Sequence, residues 1–165
     1  MMATRGVDPA QRTFVSYIDK SREYYLARGY NNPYRWAYFE DVPFAPLRRP
    51  LSQCTATLIT TAHQGTDASS FRKVYSVSSD DPPARLSTVG LFWDMQATHT
   101  DDLDSYFPVH RLQEFVREGR IGRLAHRLHG APTEYSQRKT REGDAPEILR
   151  RCQEDAVDAA LLVPL

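Results

Sequence analysis

The sequence predicts an α/β domain with a doubly wound, mainly parallel sheet and helices on both of its faces. Three observations predict this fold. Short β-branched segments alternate along the chain with segments whose apolar residues recur at helical spacing. The helix predicted from Pro108 to Glu118 begins at a proline and stops before Gly119, the usual residue types at those two ends. No internal repeat or low-complexity tract favours another architecture.

The chain of 165 residues is expected to form one domain, in which residues 1–51 precede the sheet core. Asp8 and Pro9 suit the N-cap and the first turn of a helix, and apolar residues then recur at helical spacing until Gly29. The four prolines between residues 30 and 51 exclude a regular helix there. Because aromatic side chains stand beside these prolines, we expect an extended segment clamped onto the body.

Residues 52–165 are predicted to form the sheet core. Strands are expected at four places, given as ranges: 55–61, 86–93, 121–128 and 156–163. Besides the helix that begins at Pro108, a second helix is expected to start at a capping box and to turn three residues inward. The capping box is Asp144 to Glu147, and the residues expected to face inward are Ile148, Leu149 and Cys152.

Composition limits the classes of partner. Lysine plus arginine and aspartate plus glutamate number 21 each, so the formal net charge is zero. A neutral chain lacks the field that gathers nucleic acid or an anionic membrane surface. The apolar run at residues 159–165 is too short to span a bilayer, and no apolar signal region follows the N-terminus. We expect a cytoplasmic protein with no nucleic-acid or membrane partner, and whether it forms a homo-oligomer stays open.

Two loops follow predicted strands at the end of a parallel sheet where ligands usually bind. In the first loop, Thr60 and Thr61 can hold a carboxylate and His63 can donate or accept a proton. The alternative is an ordinary polar connection. The second loop carries Trp93, Asp94 and Asp102. Its acidic groups suit a substrate ammonium or a metal, and the competing interpretation is that they complement the dipole of the helix that follows.

Both loops are expected to line one pocket, roofed by the aromatic segment at residues 34–44. Trp93, with Trp36 and Tyr38, can supply the aromatic faces that favour quaternary ammonium groups. Thr60, Thr61, Trp93, Asp94 and Asp102 are therefore the predicted substrate-binding residues.

The two cysteines lie far apart with no Cys-x-x-Cys spacing, which predicts neither a disulfide framework nor a zinc site. Cys152 is expected to be a buried, inert thiol. Cys54 is kept as a candidate catalytic thiol beside His63, although it precedes a strand and so lies at the wrong end for a doubly wound site.

The remaining histidines offer weaker candidates. His126 and His129 would share a face, and could bind zinc, on a helix; on the predicted strand they point to opposite faces. His110 is a possible general acid outside any triad. No Gly-x-Ser-x-Gly elbow and no glycine-rich phosphate loop is present.

Several motifs together resemble a known family. They are Arg28-Gly29-Tyr30, Pro33-Tyr34-Arg35-Trp36, Pro43 to Leu47, Leu58 to Ala62, Phe107 to Leu112, Glu118 to Gly122 and Val157 to Pro164. In this order they are similar to the selenoprotein B family of glycine, sarcosine, betaine and D-proline reductases, and the resemblance covers most of the chain.

The resemblance implies an oxidoreductase component that handles a small amino-acid-like substrate. The chain lacks selenocysteine, and longer relatives continue beyond Leu165 into a redox motif, so a redox partner protein is expected to supply that centre. Leu91 and Phe92 stand where family members tend to have histidine, which puts histidine chemistry at that loop in doubt. The sequence identifies no cofactor. The alternative function is a non-catalytic binding or accessory subunit with the same fold.

Overall fold

The computed structural model describes residues 17–31, 38–42, 45–65, 72–91, 98–133 and 136–165. The chain divides into two compact units, residues 1–42 and residues 43–165. This division falls before the predicted start of the sheet core at residue 52. The sheet and its hydrophobic core belong to the second unit.

In the first unit, helix α1 spans Tyr17–Ala27. It ends as predicted at Gly29, whose φ of +85° is the left-handed conformation that glycine adopts without strain. The predicted helix start at Asp8 lies outside the described residues. Tyr38 and Phe39, in the aromatic segment that follows this helix, are 82% and 64% exposed. Residues 32–37 and 43–44 lie outside the described part of the chain.

The second unit contains a sheet of five strands and two longer helices. The strands are β1 Thr55–Thr60, β2 Tyr75–Ser78, β3 Arg123–Leu124, β4 Arg127–Gly130 and β5 Ala159–Val163. The helices are α2 Val109–Arg117, α3 Gln137–Lys139 and α4 Ala145–Glu154, and a π-helical turn, Thr140–Asp144, joins α3 to α4.

Strand β1 lies at the centre of the sheet. It pairs in parallel with β3 and β4 on one side and with β5 on the other. Ile59 is in register with both His129 of β4 and Leu162 of β5. Strand β2 pairs antiparallel with β4, so the sheet is mixed but mostly parallel. The predicted α/β class is confirmed, without a strict doubly wound strand order.

The two long helices pack on opposite faces of this sheet. Side chains alternate along a strand, so Leu58 and Ile59 point to opposite faces. Leu58 belongs to the core that α2 covers. Ile59 borders a groove together with Ile148 and Cys152 of α4. The fully buried members of the core, all 0% or 1% exposed, are Ala56, Leu58, Ala62, Tyr106, Phe107, Val109 and Leu128.

Most predicted core elements are confirmed with shifted bounds. Strand β1 and helix α2 fall within the predicted ranges, and Gly119 follows α2 with a φ of +71°. The predicted strand at 121–128 is split into β3 and β4. The strand predicted from Ala156 begins three residues later, because Ala156 itself has a φ of +52°.

The predicted strand at residues 86–93 is wrong for its described part. Residues 86–91 form only one bridge, between Ser87 and His63, and Gly90 turns the chain with a φ of +80°. The strand that the sequence analysis missed is β2, whose Tyr-Ser-Val-Ser sequence alternates half-buried side chains with the buried Val77. Such a short alternation between polar residues resembles a loop in the sequence.

The predicted capping box at Asp144 is also wrong. Asp144 has helical dihedral angles and lies within continuous helical structure, which starts instead at Ser136, whose hydroxyl accepts from the Lys139 N–H at 3.4 Å. The π-helical turn widens the helix just before Pro146, whose ring would clash with a carbonyl in a regular helix. Ile148 and Cys152 are buried as predicted, but Leu149 is 58% exposed.

Candidate functional site

The carboxyl end of β1 is held by the Thr60 hydroxyl. It donates a hydrogen bond of 3.0 Å to the carbonyl oxygen of Tyr106 and accepts one of 3.3 Å from the N–H of Ala62. Thr60 is 1% exposed. Its hydroxyl is therefore used inside the protein, and the predicted role of Thr60 becomes positioning the strand end instead of contacting a ligand.

Thr61 ties the end of β1 to the chain that follows β5. Its hydroxyl oxygen accepts from the Leu165 N–H at 2.8 Å and lies 3.3 Å from the Leu165 oxygen. The carbonyl of Thr61 accepts a further hydrogen bond, of 3.2 Å, from the exposed Thr133 hydroxyl. These contacts position Leu165 at the carboxyl end of the sheet.

His63 is buried, with 3% of its surface exposed. Its backbone N–H and C=O bridge to Ser87 at 3.0 and 2.7 Å. Its Nε2 lies 3.0 Å from the carbonyl oxygen of Val89. Since a carbonyl only accepts, Nε2 carries the proton and the imidazole fastens the segment 86–91 to the end of β1.

A cleft of about 580 Å³ lies at this end of the sheet, between the approach to α2 and the residues that follow β5. Of the predicted site residues that the structure describes, Asp102 alone lines it. One Asp102 carboxylate oxygen accepts from the Asp104 N–H at 3.0 Å, and the other has no partner among the described residues. Among the described residues, its lining comprises Thr98, His99, Thr100, Asp102, Ser105, Pro164 and Leu165.

Some of the acidic residues around this cleft are engaged in contacts within the protein, whereas Asp102 is only partly engaged. Asp104 accepts from the His110 N–H at 3.0 Å and contacts the His110 Nδ1 at 3.1 Å, which caps the start of α2. Asp101 lies 3.7 Å from both Arg85 and the His99 Nδ1. The predicted complement to the helix dipole is therefore observed at Asp104, while Asp102 lines the cleft with one carboxylate oxygen that has no partner among the described residues.

The two predicted loops lie at the same end of the sheet, because both border the segment 86–91. His63 bridges to Ser87, and the Thr88 hydroxyl lies 3.1 Å from that of Thr100. Trp93 and Asp94, like residues 66–70 of the first loop, fall outside the described residues. Sequence analysis missed Pro164 and Leu165, which follow the carboxyl end of β5, a position that could have nominated them.

Cys54 is separated from this cleft by the length of β1. The strand has six residues, about 20 Å at the usual rise, and Cys54 precedes it while His63 follows it. Cys54 is 1% exposed, with its sulfur 3.4 Å from the carbonyl of Pro50. A pairing of Cys54 with His63 on one substrate is not possible in this geometry. Burial raises the pKa of the Cys152 thiol, as expected for an inert cysteine.

His126 and His129 do not converge. The exposed His126 contacts Asp80 at 3.1 Å. His129 is fully buried, and its Nδ1 lies 2.9 Å from the Ser76 hydroxyl oxygen. Within the described residues, no group of histidine, cysteine and acidic side chains is arranged to hold a metal ion.

Comparisons with family models, with curated proteins and with solved structures find no match for this chain. The resemblance to the selenoprotein B family therefore stays a prediction. No helix within the described ranges is long and apolar enough to cross a membrane.

Proposed function

We propose that this chain is a binding subunit for a small amino-acid-like molecule and supplies no reactive thiol of its own. The observation that carries the proposal is the Asp102 carboxylate. One of its oxygens is fixed by the Asp104 N–H, the other has no partner among the described residues, and Asp102 lines a cleft at the carboxyl ends of parallel strands. This is the end of an α/β sheet where ligands usually bind.

The cleft chemistry suits a zwitterion. The Asp102 carboxylate attracts an ammonium or quaternary ammonium group. His99 borders the same space and can donate a hydrogen bond from its ring to a carboxylate. The Ser105 hydroxyl donates to the Asp102 carbonyl at 2.7 Å, so its oxygen can accept from the ammonium group. Glycine, sarcosine, betaine and proline all combine these two charges in a small molecule that this cleft can contain.

The burial of both thiols favours an accessory function over a catalytic one. Cys54 is 1% exposed and Cys152 is 9% exposed, and neither lines the cleft. A reductase component of the resembled type would need a redox partner protein to attack the bound substrate, and that function stays a prediction. Buried, unpaired thiols suit the reducing cytoplasm, which is the location we propose.

Two measurements on the full chain test this proposal. Isothermal titration with glycine, sarcosine, betaine and proline should detect binding of at least one of them. Alkylation of the native protein should leave both cysteines unmodified until denaturant is added. Failure of every ligand to bind would contradict the binding function, and rapid alkylation of Cys54 under native conditions would contradict the inert thiols.

A further inference from the structure

The outer edge of β5 carries backbone groups that no other described strand pairs with. β5 is bonded to β1 alone. The carbonyl of Ala56 accepts from the Ala125 N–H on the β3 side, so the backbone groups of Ala56 point away from β5, and Ala56 is in register with Ala159. In a parallel pair every second residue bonds the same neighbour, so Ala159, Leu161 and Val163 bond β1. The residues of β5 whose N–H and C=O groups point away from β1 are Ala160 and Leu162.

This edge is apolar and has no blocking residue. β5 contains neither a charged side chain nor a proline, the residues by which edge strands commonly prevent further pairing. Leu162 is 72% exposed, and Leu149 of α4 is 58% exposed. Both border a groove of about 430 Å³, which Ile59 and Ala160 also line. Open backbone groups beside an exposed apolar strip favour addition of another strand.

We propose that the β5 edge binds the β5 edge of a second copy of this chain, in antiparallel orientation about a two-fold axis at Leu161. The outward-pointing residues are centred on Leu161, so the axis pairs Leu161 with its own equivalent. Ala160 then pairs with Leu162 of the second copy, and the outward backbone groups of both β5 strands are satisfied.

This register is complementary in side-chain size. Leu162 lies directly opposite Ala160 of the second copy, so a large exposed side chain covers a small one on both sides of the axis. An isologous interface requires this kind of self-complementarity. A two-fold axis perpendicular to the sheet keeps each face on its own side, so the grooves beside the two α4 helices come together and Leu162 loses its exposure to water.

Charge does not oppose association of two copies. The chain carries 21 basic and 21 acidic residues, so two copies exert no net long-range repulsion. Two five-residue strands and their flanking grooves form a smaller contact than the roughly 1,600 Å² of a standard interface. We therefore expect a dissociation constant in the micromolar range.

Sedimentation equilibrium of the full chain, over low to high micromolar concentrations, tests this pairing. The wild type should shift from monomer to dimer, and Leu162→Lys should weaken the dimer by about tenfold or more, because each interface would bury two added charges. Val89→Lys is the matched control: Val89 is also apolar and 60% exposed, but lies outside β5. It should dimerise like the wild type, and both variants should keep the wild-type melting temperature as monomers.

Cross-linking tests the register independently. Ala160→Cys and Leu162→Cys protein, mixed and oxidised, should form an intermolecular disulfide, whereas either variant alone should form far less, since residue 160 of one copy lies opposite residue 162 of the other and neither lies opposite its own equivalent. A monomer at every concentration would overturn the proposal and leave another polypeptide as the occupant of the edge. A dimer that Leu162→Lys does not weaken, or a mixture that does not cross-link, would also overturn it.

Discussion

The Thr60 hydroxyl donates a hydrogen bond to the backbone carbonyl of Tyr106, at 3.0 Å, with both residues about 1% exposed. The Tyr106 hydroxyl in turn donates to the carbonyl of Leu86 at 3.0 Å. Tyr106 thus connects the end of β1 with the segment at Leu86, which is distant from both in sequence. This junction positions the chain that carries Asp102, and so the floor of the candidate cleft depends on it.

Thr60→Val tests the junction. Valine has nearly the shape of threonine but leaves the Tyr106 carbonyl and the Ala62 N–H without their buried partner, which should cost about 1 to 3 kcal/mol in the free energy of unfolding. Thr133→Val, which removes an exposed hydroxyl, should change it by no more than about 0.5 kcal/mol. Urea unfolding measures both, and an equal effect of the two variants would show that the Thr60 hydrogen bond contributes no special stability.

Gly122 is predicted to tolerate no side chain. A Cβ atom there would lie 2.7 Å from the Cys54 carbonyl oxygen and 2.8 Å from the Gln53 carbonyl carbon, both of them backbone atoms that cannot rotate away. Gly122→Ala should therefore cost about 1 to 3 kcal/mol in stability. Gly143→Ala adds a Cβ that meets nothing within 4 Å, and in a helical position it should be neutral or stabilising. Thermal melts should show a lower melting temperature for Gly122→Ala and an unchanged or higher one for Gly143→Ala; an equal loss in both variants would contradict the steric explanation.

Gly119 is predicted to be required for its backbone conformation alone. Its φ is +71°, and a Cβ atom would meet nothing within 4 Å. Gly119→Val should cost roughly 1 to 2 kcal/mol, because a β-branched residue is strained in the left-handed region. Gly119→Asn should cost less, since asparagine enters that region more readily. If valine and asparagine lower the melting temperature equally, backbone conformation is not the cause.

His129 should make stability depend on pH. Burial, followed by the charges of Arg151 and Arg127, lowers the pKa of His129 below its ordinary 6.5. The unfolded chain therefore binds a proton at this residue more readily than the folded chain does. This contribution to stability is present above about pH 6.5 and is lost as the pH falls below it. Denaturant midpoints at neutral and mildly acidic pH should fall less for His129→Gln than for the wild type; an identical fall would exclude His129 as the cause.

Elements with a strong local signal could be predicted from the sequence. β1 is a β-branched run, and the end of α2 is marked by Gly119, which the structure places in the left-handed region. β2 could not be found, because its four residues carry no long apolar pattern and depend on pairing with β4. The start of the last helix was misplaced because Asp144 and Pro146 suit a helix start, yet a π-helical turn accommodates them inside one.

The candidate site was only partly predictable for a similar reason. The rule that ligands bind beyond the carboxyl ends of parallel strands selected the end of β1 at which the candidate cleft lies, and it included Asp102. It could not say whether polar groups there face a ligand or the protein. Thr60, Thr61 and His63 use their polar atoms in contacts with Tyr106, Leu165 and Val89. Those partners are distant in sequence and carry no local signal.

The most direct test of the binding function compares Asp102→Asn with Asp81→Asn in isothermal titration against whichever of glycine, sarcosine, betaine or proline binds the wild type most tightly. Asparagine at position 102 can still accept from the Asp104 N–H, so the change removes the charge and keeps the local turn. Asp81 is also exposed, but it does not line the cleft. We predict that Asp102→Asn weakens binding tenfold or more, about 1.4 kcal/mol, and that Asp81→Asn leaves it unchanged. Equal affinities for wild type and both variants would contradict the assignment of the cleft as the binding site.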